Sequence, residues 1–263
     1  MKTILITGVG SGIGKEVAKY FLNNKYQVIG IDVKEYIDFN EIIYFKSDIR
    51  DKSELLKIKK YCLDNNITLD GIINVAGIHK MASLVETNFD DIKSLLDINL
   101  SGTILVNNIF HCLLKEKGRI VIVTSEVAPF DPMPFNGLYN ISKTALDSYA
   151  QALRQELNLL NQKVITIRPG SIETPLSNNS LTDTEKLSHE TKLYKKQATK
   201  FLKITKKFMG KVIKPENVAK LIYKAYNKKN PKLIYRINPN PYLTLLNLLP
   251  KRLQCWIIKM ILK

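Results

Sequence analysis

The chain has 263 residues, of which 45% are hydrophobic and 24% charged, and a formal net charge of +16 at pH 7. This length and composition are typical of a globular protein with a sizeable core, and they exclude a disordered chain, a collagen and a disulfide-stapled mini-protein. Three cysteines and three histidines, without metal-ligand spacing, predict neither a disulfide framework nor a metal site. The apolar stretch after Met1 is too short for a signal peptide and no apolar run is long enough to cross a bilayer, so we expect a cytoplasmic protein.

The positive charge is concentrated in the last third of the chain. Residues 186–263 contain 20 Lys and Arg but only two acidic residues, whereas residues 1–185 are nearly neutral. Such a segment fits a nucleic acid or an anionic membrane surface, and equally a solvated lysine-rich face. A single-stranded nucleic-acid site would need aromatic residues among the lysines, and the run at 195–207 has only Phe201, so no nucleic-acid partner is expected.

Short β-branched runs alternate with helix-sized segments along residues 1–238. The strands are predicted, in chain order, at Thr3–Ile6, Gln27–Ile31, Ile42–Lys46, Gly71–Val75, Arg119–Thr124, Val164–Arg168 and Lys232–Arg236. The helices are predicted at Gly14–Asn23, Lys52–Asn65, Asp90–Lys117, Tyr139–Asn161 and Pro215–Asn227. This alternation predicts a single α/β domain, a Rossmann-type doubly wound parallel sheet of about seven strands with helices on both faces.

Two segments depart from this alternation. Residues 176–211 are polar and lysine-rich, which predicts an insertion that covers another part of the molecule. Residues 239–263 form a tail in which apolar residues recur at helical spacing with basic residues on the other side; these are Leu253, Trp256, Ile257, Met260 and Ile261, and Lys251, Arg252, Lys259 and Lys263. A basic amphipathic helix fits an anionic membrane interface, and equally a helix docked on its own subunit or a neighbour.

A glycine-rich turn joins the first predicted strand to the first helix. It reads Thr7-Gly8-Val9-Gly10-Ser11-Gly12-Ile13-Gly14. Glycines let the backbone turn tightly and let a pyrophosphate approach the helix N-terminus. The strict G-x-G-x-x-G pattern fails because residue 13 is Ile, and the ATPase phosphate loop fails because Val9 and Glu16 occupy its Gly and Ser/Thr positions. By itself the turn fits a plain tight connection as well.

Asp32, at the end of the second strand, adds to this signal. It follows Gly14 by 18 residues, where an acid can accept hydrogen bonds from the ribose of an adenosine. The same charge would repel a 2′-phosphate, which favours NAD over NADP, although Lys34 nearby favours the reverse. The alternative is that Asp32 is a turn former or a helix cap.

Tyr139 and Lys143 are four residues apart in a predicted helix and therefore share a face. A cation beside a phenol stabilises the phenolate, so we expect Lys143 to lower the pKa of Tyr139 from about 10 towards the working pH. Tyr139 would then serve as a general acid or base. Ser125 follows a predicted strand, at the sheet edge where ligands bind, and its hydroxyl can stabilise a developing alkoxide. A Tyr-x-x-x-Lys pair alone is usually a helix surface contact.

Together these motifs resemble those of the short-chain dehydrogenase/reductase family over roughly residues 1–235. The spacing of Thr7-Gly8-x-x-x-Gly12-x-Gly14 matches, and the segment Asn74-Val75-Ala76-Gly77 departs from the family's Asn-Asn-Ala-Gly only at Val75. The resemblance implies a catalytic tetrad of Asn99, Ser125, Tyr139 and Lys143. It also implies the cofactor-binding residues Gly8, Ser11, Gly12, Ile13, Gly14, Asp32, Asp48, Ile49, Asn74, Ala76, Gly77, Tyr139, Lys143, Pro169, Gly170, Ile172 and Thr174.

The roles of several residues follow from the same resemblance. Asp48 and Ile49 would contact the adenine, and residues 169–174 would hold the nicotinamide carboxamide. Lys143 would hold the nicotinamide ribose, and Asn99 would anchor a water in a proton relay to Lys143. No metal is needed.

The implied activity is that of an NAD(P)-dependent oxidoreductase, with NAD preferred, which transfers a hydride between the nicotinamide and a secondary alcohol or ketone. A lipophilic substrate such as a steroid, retinoid or lipid is favoured by the loop 126–137, by residues 78–80 and by the 176–211 segment, which would form a substrate lid. A homodimer or homotetramer is implied by the family, and peripheral membrane contact by the tail. The alternatives are a non-catalytic dinucleotide-binding protein and a basic nucleic-acid-binding protein.

Overall fold

A computed structural model of the chain describes residues 1–35, 38, 41–208 and 210–263, without the side chains of 177–181 and 208. Seven strands in these residues form one parallel sheet: β1 Thr3–Thr7, β2 Gln27–Asp32, β3 Ile43–Lys46, β4 Leu69–Asn74, β5 Leu114–Val123, β6 Lys163–Pro169 and β7 Ile234–Ile237. Their order across the sheet is β3-β2-β1-β4-β5-β6-β7, which confirms the predicted doubly wound fold.

The helices cover both faces of the sheet. In chain order they are α1 Gly12–Asn23, α2 Lys52–Asp64, α3 Phe89–Leu96, α4 Thr103–Phe110, α5 Gly137–Asn158, α6 Pro175–Glu190, α7 Lys195–Phe208, α8 Pro215–Asn227, α9 Pro241–Asn247 and α10 Lys251–Leu262. In β1, Ile4 and Ile6 pack with α1 and α8, whereas Leu5 faces the opposite side and packs with α2, α4 and α5. Burial on both faces explains why the strand sequences are continuously apolar. Among the described helices, none is both long and apolar enough to span a bilayer.

The predicted helix at Asp90–Lys117 is wrong in two respects. A π-helical turn, Asp97–Gly102, separates α3 from α4, and the helical segment ends at Leu113. Residues from Leu114 onwards belong to β5, because Leu114 pairs with Leu69 of β4 across a register shift. This long-range pairing overrides the helical pattern, and π-helical turns occur preferentially at functional sites.

The 176–211 segment forms α6 and α7, which pack against each other; Met209 lies outside the described residues. Ala198 and Phe201 of α7 are buried against Met81 and Phe135 of the loops and Leu262 of α10. The segment and the tail therefore share a small apolar core, separate from the two main layers, above the carboxyl ends of the strands.

Candidate functional site

A cavity of about 1160 Å³ lies at the carboxyl edge of the sheet. Its walls come from the glycine-rich turn, from the ends of β2, β4, β5 and β6, and from the start of α5. Further wall residues come from α7, α9 and α10. The ends of parallel strands are where open α/β sheets bind ligands. Within the described residues, no group of three or more His, Cys, Asp or Glu side chains is arranged to hold a metal ion.

The glycine-rich turn approaches the cavity with backbone alone. Gly8 has φ +78° and Gly12 has φ +53°, conformations that side chains with a Cβ rarely adopt. A Cβ on Gly14 would lie 2.0 Å from the carbonyl oxygen of Gly8, so only glycine permits this turn to close onto α1. The N-terminus of α1 is thereby exposed to the cavity, and its free N–H groups suit a phosphate.

Asp32 braces this turn. Its Oδ2 accepts a hydrogen bond from Gly10 N at 2.8 Å and its Oδ1 accepts one from Lys34 N at 3.0 Å. The Lys34 ammonium donates to Gly10 O at 2.8 Å. The negative Asp32 and the positive Lys34 therefore lie at the same end of the cavity, where the sequence predicts that the adenosine ribose binds.

Sixteen of the predicted cofactor-binding residues line the cavity, namely Gly8, Ser11, Gly12, Ile13, Gly14, Asp32, Asp48, Ile49, Ala76, Gly77, Tyr139, Lys143, Pro169, Gly170, Ile172 and Thr174. Asn74 instead lies inside the sheet, where its amide donates to Asn107 Oδ1 at 2.9 Å. It is not among the residues that line this cavity, and its role in cofactor binding stays a prediction.

Tyr139, Ser125 and Lys143 lie together in the cavity wall, and all three are buried. A hydrogen bond links the Tyr139 and Ser125 side chains. The Lys143 ammonium lies 5.8 Å from the centre of the Tyr139 ring and donates to Val123 O at 3.4 Å. The residues come from the end of β5 and the start of α5, and the sheet brings these two elements together.

Asn99 is fully buried behind this wall. It lies in the π-helical turn, where its Oδ1 accepts from Ile78 N at 2.8 Å and its Nδ2 donates to Ile78 O at 2.9 Å and to Ser142 Oγ at 3.0 Å. A Cβ on Gly77 would lie 3.1 Å from Asn99 Oδ1 and 3.3 Å from the Lys143 ammonium. Asn99 thus fastens the loop after β4 to α5, close to the lysine.

Burial dominates the electrostatics of this cluster. It raises the pKa of Tyr139 to about 12, more than the hydrogen bond from Ser125 lowers it. Burial also lowers the pKa of Lys143 to about 8, because the ammonium leaves water for few partners. The direction of the Tyr139 shift is opposite to the expectation that Lys143 brings the pKa of Tyr139 towards neutrality. Tyr139 is a protonated phenol at neutral pH, suited to donate a proton.

Two further polar groups border Tyr139, and the sequence indicated them only as members of substrate-facing loops. The His79 ring lies 4.3 Å from the Tyr139 ring, centre to centre, and its Nε2 contacts Asn136 Oδ1 at 3.1 Å. Burial lowers the pKa of His79 to about 4, so its ring is neutral at pH 7. The second is Glu126, a carboxylate whose burial the sequence pattern did not signal.

The cavity and its cluster agree with comparisons to known proteins. The family model for short chain dehydrogenases matches residues 2–185, and the chain belongs to this family of oxidoreductases. It is 31% identical over 201 residues to the NADPH-dependent 1-acyldihydroxyacetone phosphate reductase of Schizosaccharomyces pombe, covering 73% of this chain and 68% of that protein. It is 23% identical over 237 residues to the 3-ketodihydrosphingosine reductase of Bacteroides thetaiotaomicron, covering 90% and 87%. A crystal structure of a short chain dehydrogenase family protein from Francisella tularensis shares the fold, with a TM-score of 0.75, 24% identity and coverage of 90% and 97%.

Proposed function

We propose that the protein is an NAD(P)-dependent reductase that converts a lipophilic ketone to a secondary alcohol, with Tyr139 as the general acid. The observation that carries this proposal is the buried cluster of Tyr139, Ser125 and Lys143 in the cavity wall. Tyr139 is protonated at neutral pH, so its phenol can supply the proton that a carbonyl oxygen takes up on reduction.

The cavity fits a nicotinamide dinucleotide. Side chains at Gly8, Gly12 and Gly14 would press against neighbouring protein atoms, so glycine keeps this turn tight, and the N-terminus of α1 offers N–H groups to a pyrophosphate. Asp32 would hold the adenosine ribose, and its charge supports NAD as the preferred dinucleotide despite the nearby Lys34. When bound, the nicotinamide supplies the hydride.

Three residues of the chain would carry out the rest of the reaction, which is the polarisation of the carbonyl and the transfer of a proton to its oxygen. The Ser125 hydroxyl donates a hydrogen bond to the carbonyl oxygen of the ketone and stabilises the negative charge that develops there. The Tyr139 phenol gives its proton to that oxygen, so that the ketone gains a hydride at carbon and a proton at oxygen. The Lys143 ammonium stabilises the phenolate that remains.

The composition of the outer cavity supports a lipophilic substrate. Side chains of the loop after β5, of α7, of α9 and of the turn that follows α9 form an apolar wall; they are Phe130, Met133, Phe201, Ile204, Leu243, Leu246 and Leu249. The names of the reductases from S. pombe and B. thetaiotaomicron, which refer to an acyl compound and a sphingosine derivative, are compatible with this.

Peripheral contact with an anionic membrane is part of this proposal. Leu248 of the tail is 76% exposed, and Trp256 and Met260 of α10 are each more than half exposed, next to exposed basic residues such as Lys259. Leu245 both lines the cavity and is mostly exposed, so the mouth of the cavity opens beside this apolar surface. A homo-oligomeric state stays a prediction from the resemblance, and sedimentation velocity would measure it. A cytoplasmic location stays a prediction from the sequence.

The deciding experiment replaces Tyr139 with Phe. The ring keeps its packing but loses the proton, so reduction of a long-chain ketone is expected to slow by about 10²- to 10⁴-fold. Binding of the reduced dinucleotide, measured by its fluorescence, should persist. Full turnover by Tyr139→Phe would refute general-acid catalysis, and binding without turnover by the wild type would favour the non-catalytic dinucleotide-binding alternative.

A further inference from the structure

A single carboxylate interrupts the apolar wall next to the catalytic cluster. Glu126 directly follows Ser125 and lines the same cavity. Its backbone N donates to Pro169 O at 2.8 Å, and its Oε2 accepts from Asn240 N at 2.6 Å. The side chain is thus held in place from the end of β6 and from the segment that leads into α9.

The second oxygen of this carboxylate has no partner among the described residues. A carboxylate can accept about four hydrogen bonds, and the Asn240 amide accounts for one. Oε1 lies close to Gly170, since a Cβ on that glycine would be 3.0 Å from it, and Gly170 lines the cavity at the proposed nicotinamide site. None of the ion pairs formed by the described residues involves Glu126.

A cation would complete this arrangement. Burial raises the pKa of Glu126 and only the Asn240 amide opposes that effect. The charge of Glu126 also raises the pKa of Tyr139, which shows that the carboxylate acts on the reacting phenol across a short distance. Buried carboxylates are stabilised by cationic, hydrogen-bonded partners, and the neighbouring wall side chains Phe130 and Leu243 offer no charge.

We propose that Glu126 binds a protonated amine of the substrate, so that the preferred substrates are aliphatic ketones with an ammonium group on a carbon close to the carbonyl. This rests on the proposed ketone reductase function and narrows its substrate class. An ammonium group is chosen over a hydroxyl because it supplies both the charge and the donors that the carboxylate lacks. Ser125 and Glu126 are consecutive residues that line the same cavity, so the carbonyl held by Ser125 and the ammonium held by Glu126 are expected on neighbouring parts of one substrate. The apolar remainder of the substrate lies along the wall formed by α7 and α9.

The test compares three ketones of equal chain length, 2-aminododecan-3-one, 2-hydroxydodecan-3-one and dodecan-3-one, by the absorbance of the reduced dinucleotide. Wild type should reduce the amino ketone with a kcat/KM about ten-fold or more above that of the hydroxy ketone, because a charge-assisted pair in a desolvated site is worth at least one factor of ten. Glu126→Gln keeps an acceptor for Asn240 N and removes the charge. The ratio of kcat/KM for the amino ketone to that for the hydroxy ketone should therefore fall by about ten-fold in Glu126→Gln.

A second carboxylate of the cavity provides the matched control. Asp131 lines the same cavity but already pairs with Lys251 at 3.3 Å. Asp131→Asn should keep the amino-to-hydroxy ratio of the wild type within about two-fold, since its charge has a partner. An unchanged ratio in Glu126→Gln, or no preference for the amine in wild type, would overturn the proposal.

Calorimetry separates this proposal from the reductase function. Dodecan-2-amine should bind the wild type about ten-fold more tightly than it binds Glu126→Gln, whether or not any ketone is reduced. Amine binding without turnover of the three ketones would support the amine site and count against the reductase function. Equal amine binding by the two proteins, together with a loss of dinucleotide binding in Glu126→Gln, would show that the carboxylate serves the nicotinamide amide and that the amine proposal is wrong.

Discussion

The replacement of Lys143 with Met should make the protein more stable while it abolishes reduction. The ammonium is 4% exposed, and the one hydrogen bond recorded for it among the described residues is long, 3.4 Å to Val123 O. Burial lowers the pKa of Lys143 from 10.5 to about 8, and since one pKa unit is about 1.4 kcal/mol, the buried charge costs about 3 kcal/mol. Met fills a similar volume without the charge.

We therefore expect the free energy of unfolding at pH 7 to rise by up to about 3 kcal/mol in Lys143→Met, and Tm to rise by about 6 °C for a chain of this size. The pH dependence has a defined sign. Below about pH 8 the lysine is charged in both states and the full cost is present. Between about pH 8 and 10.5 the unfolded chain holds the proton that the folded chain has lost, so the wild type gains stability and the advantage of Met disappears.

The assay is urea unfolding of the nucleotide-free proteins, followed by circular dichroism at pH 7 and pH 10. Lys220, which is exposed on α8, provides the control, and Lys220→Met should change the free energy of unfolding by no more than about 0.5 kcal/mol. A Lys143→Met variant that is no more stable than wild type at pH 7 would refute the reasoning. So would an advantage of equal size at both pH values, because it would come from packing.

Three further predictions address the dinucleotide, the tail and the pH dependence. In Asp32→Asn, the repulsion between this carboxylate and a 2′-phosphate is removed; at 4 Å it amounts to about 1 to 4 kcal/mol per charge pair. The ratio of kcat/KM for NADPH over NADH should therefore rise by about ten-fold, and an unchanged ratio would contradict the role of Asp32. The double variant Trp256→Glu, Met260→Glu should lose co-sedimentation with phosphatidylserine vesicles; wild type that stays in the supernatant would dismiss the membrane contact. The kcat/KM for the reduced dinucleotide should fall as pH rises through about 8, where Lys143 loses its proton. It should show no inflection near pH 6.5, because His79 is already neutral there, and a stopped-flow pH profile with such an inflection would contradict this.

Much of the fold was predictable because its signals are local. The strands are continuous β-branched runs, and the turn at 8–14 needs glycine for reasons of backbone geometry that neighbouring residues alone decide. The prediction of a helix over Asp90–Lys117 was wrong at its C-terminal end, because the non-local pairing of Leu114 with Leu69 makes β5 begin at Leu114. The π-helical turn that buries Asn99 likewise leaves no periodic trace in the sequence.

The order of Asn99, Ser125, Tyr139 and Lys143 along the chain was enough to indicate the family and the cavity edge at which these residues meet. Their electrostatics were not readable in the same way. The helical spacing of Tyr139 and Lys143 predicts a phenol with a lowered pKa, and the structure has the opposite, because burial depends on every element packed around the pair.

By itself, the sequence determined the doubly wound sheet and the glycine turn, and it indicated the candidate reacting side chains, since each follows from residue type and spacing. Only the tertiary structure decided that Asn74 lies inside the sheet, that α9 forms part of the cavity, and that Glu126 is a half-buried carboxylate near the tyrosine. The physical reason is that desolvation and free hydrogen-bonding capacity are properties of a position in the packed chain. Residues far apart in sequence create that position together.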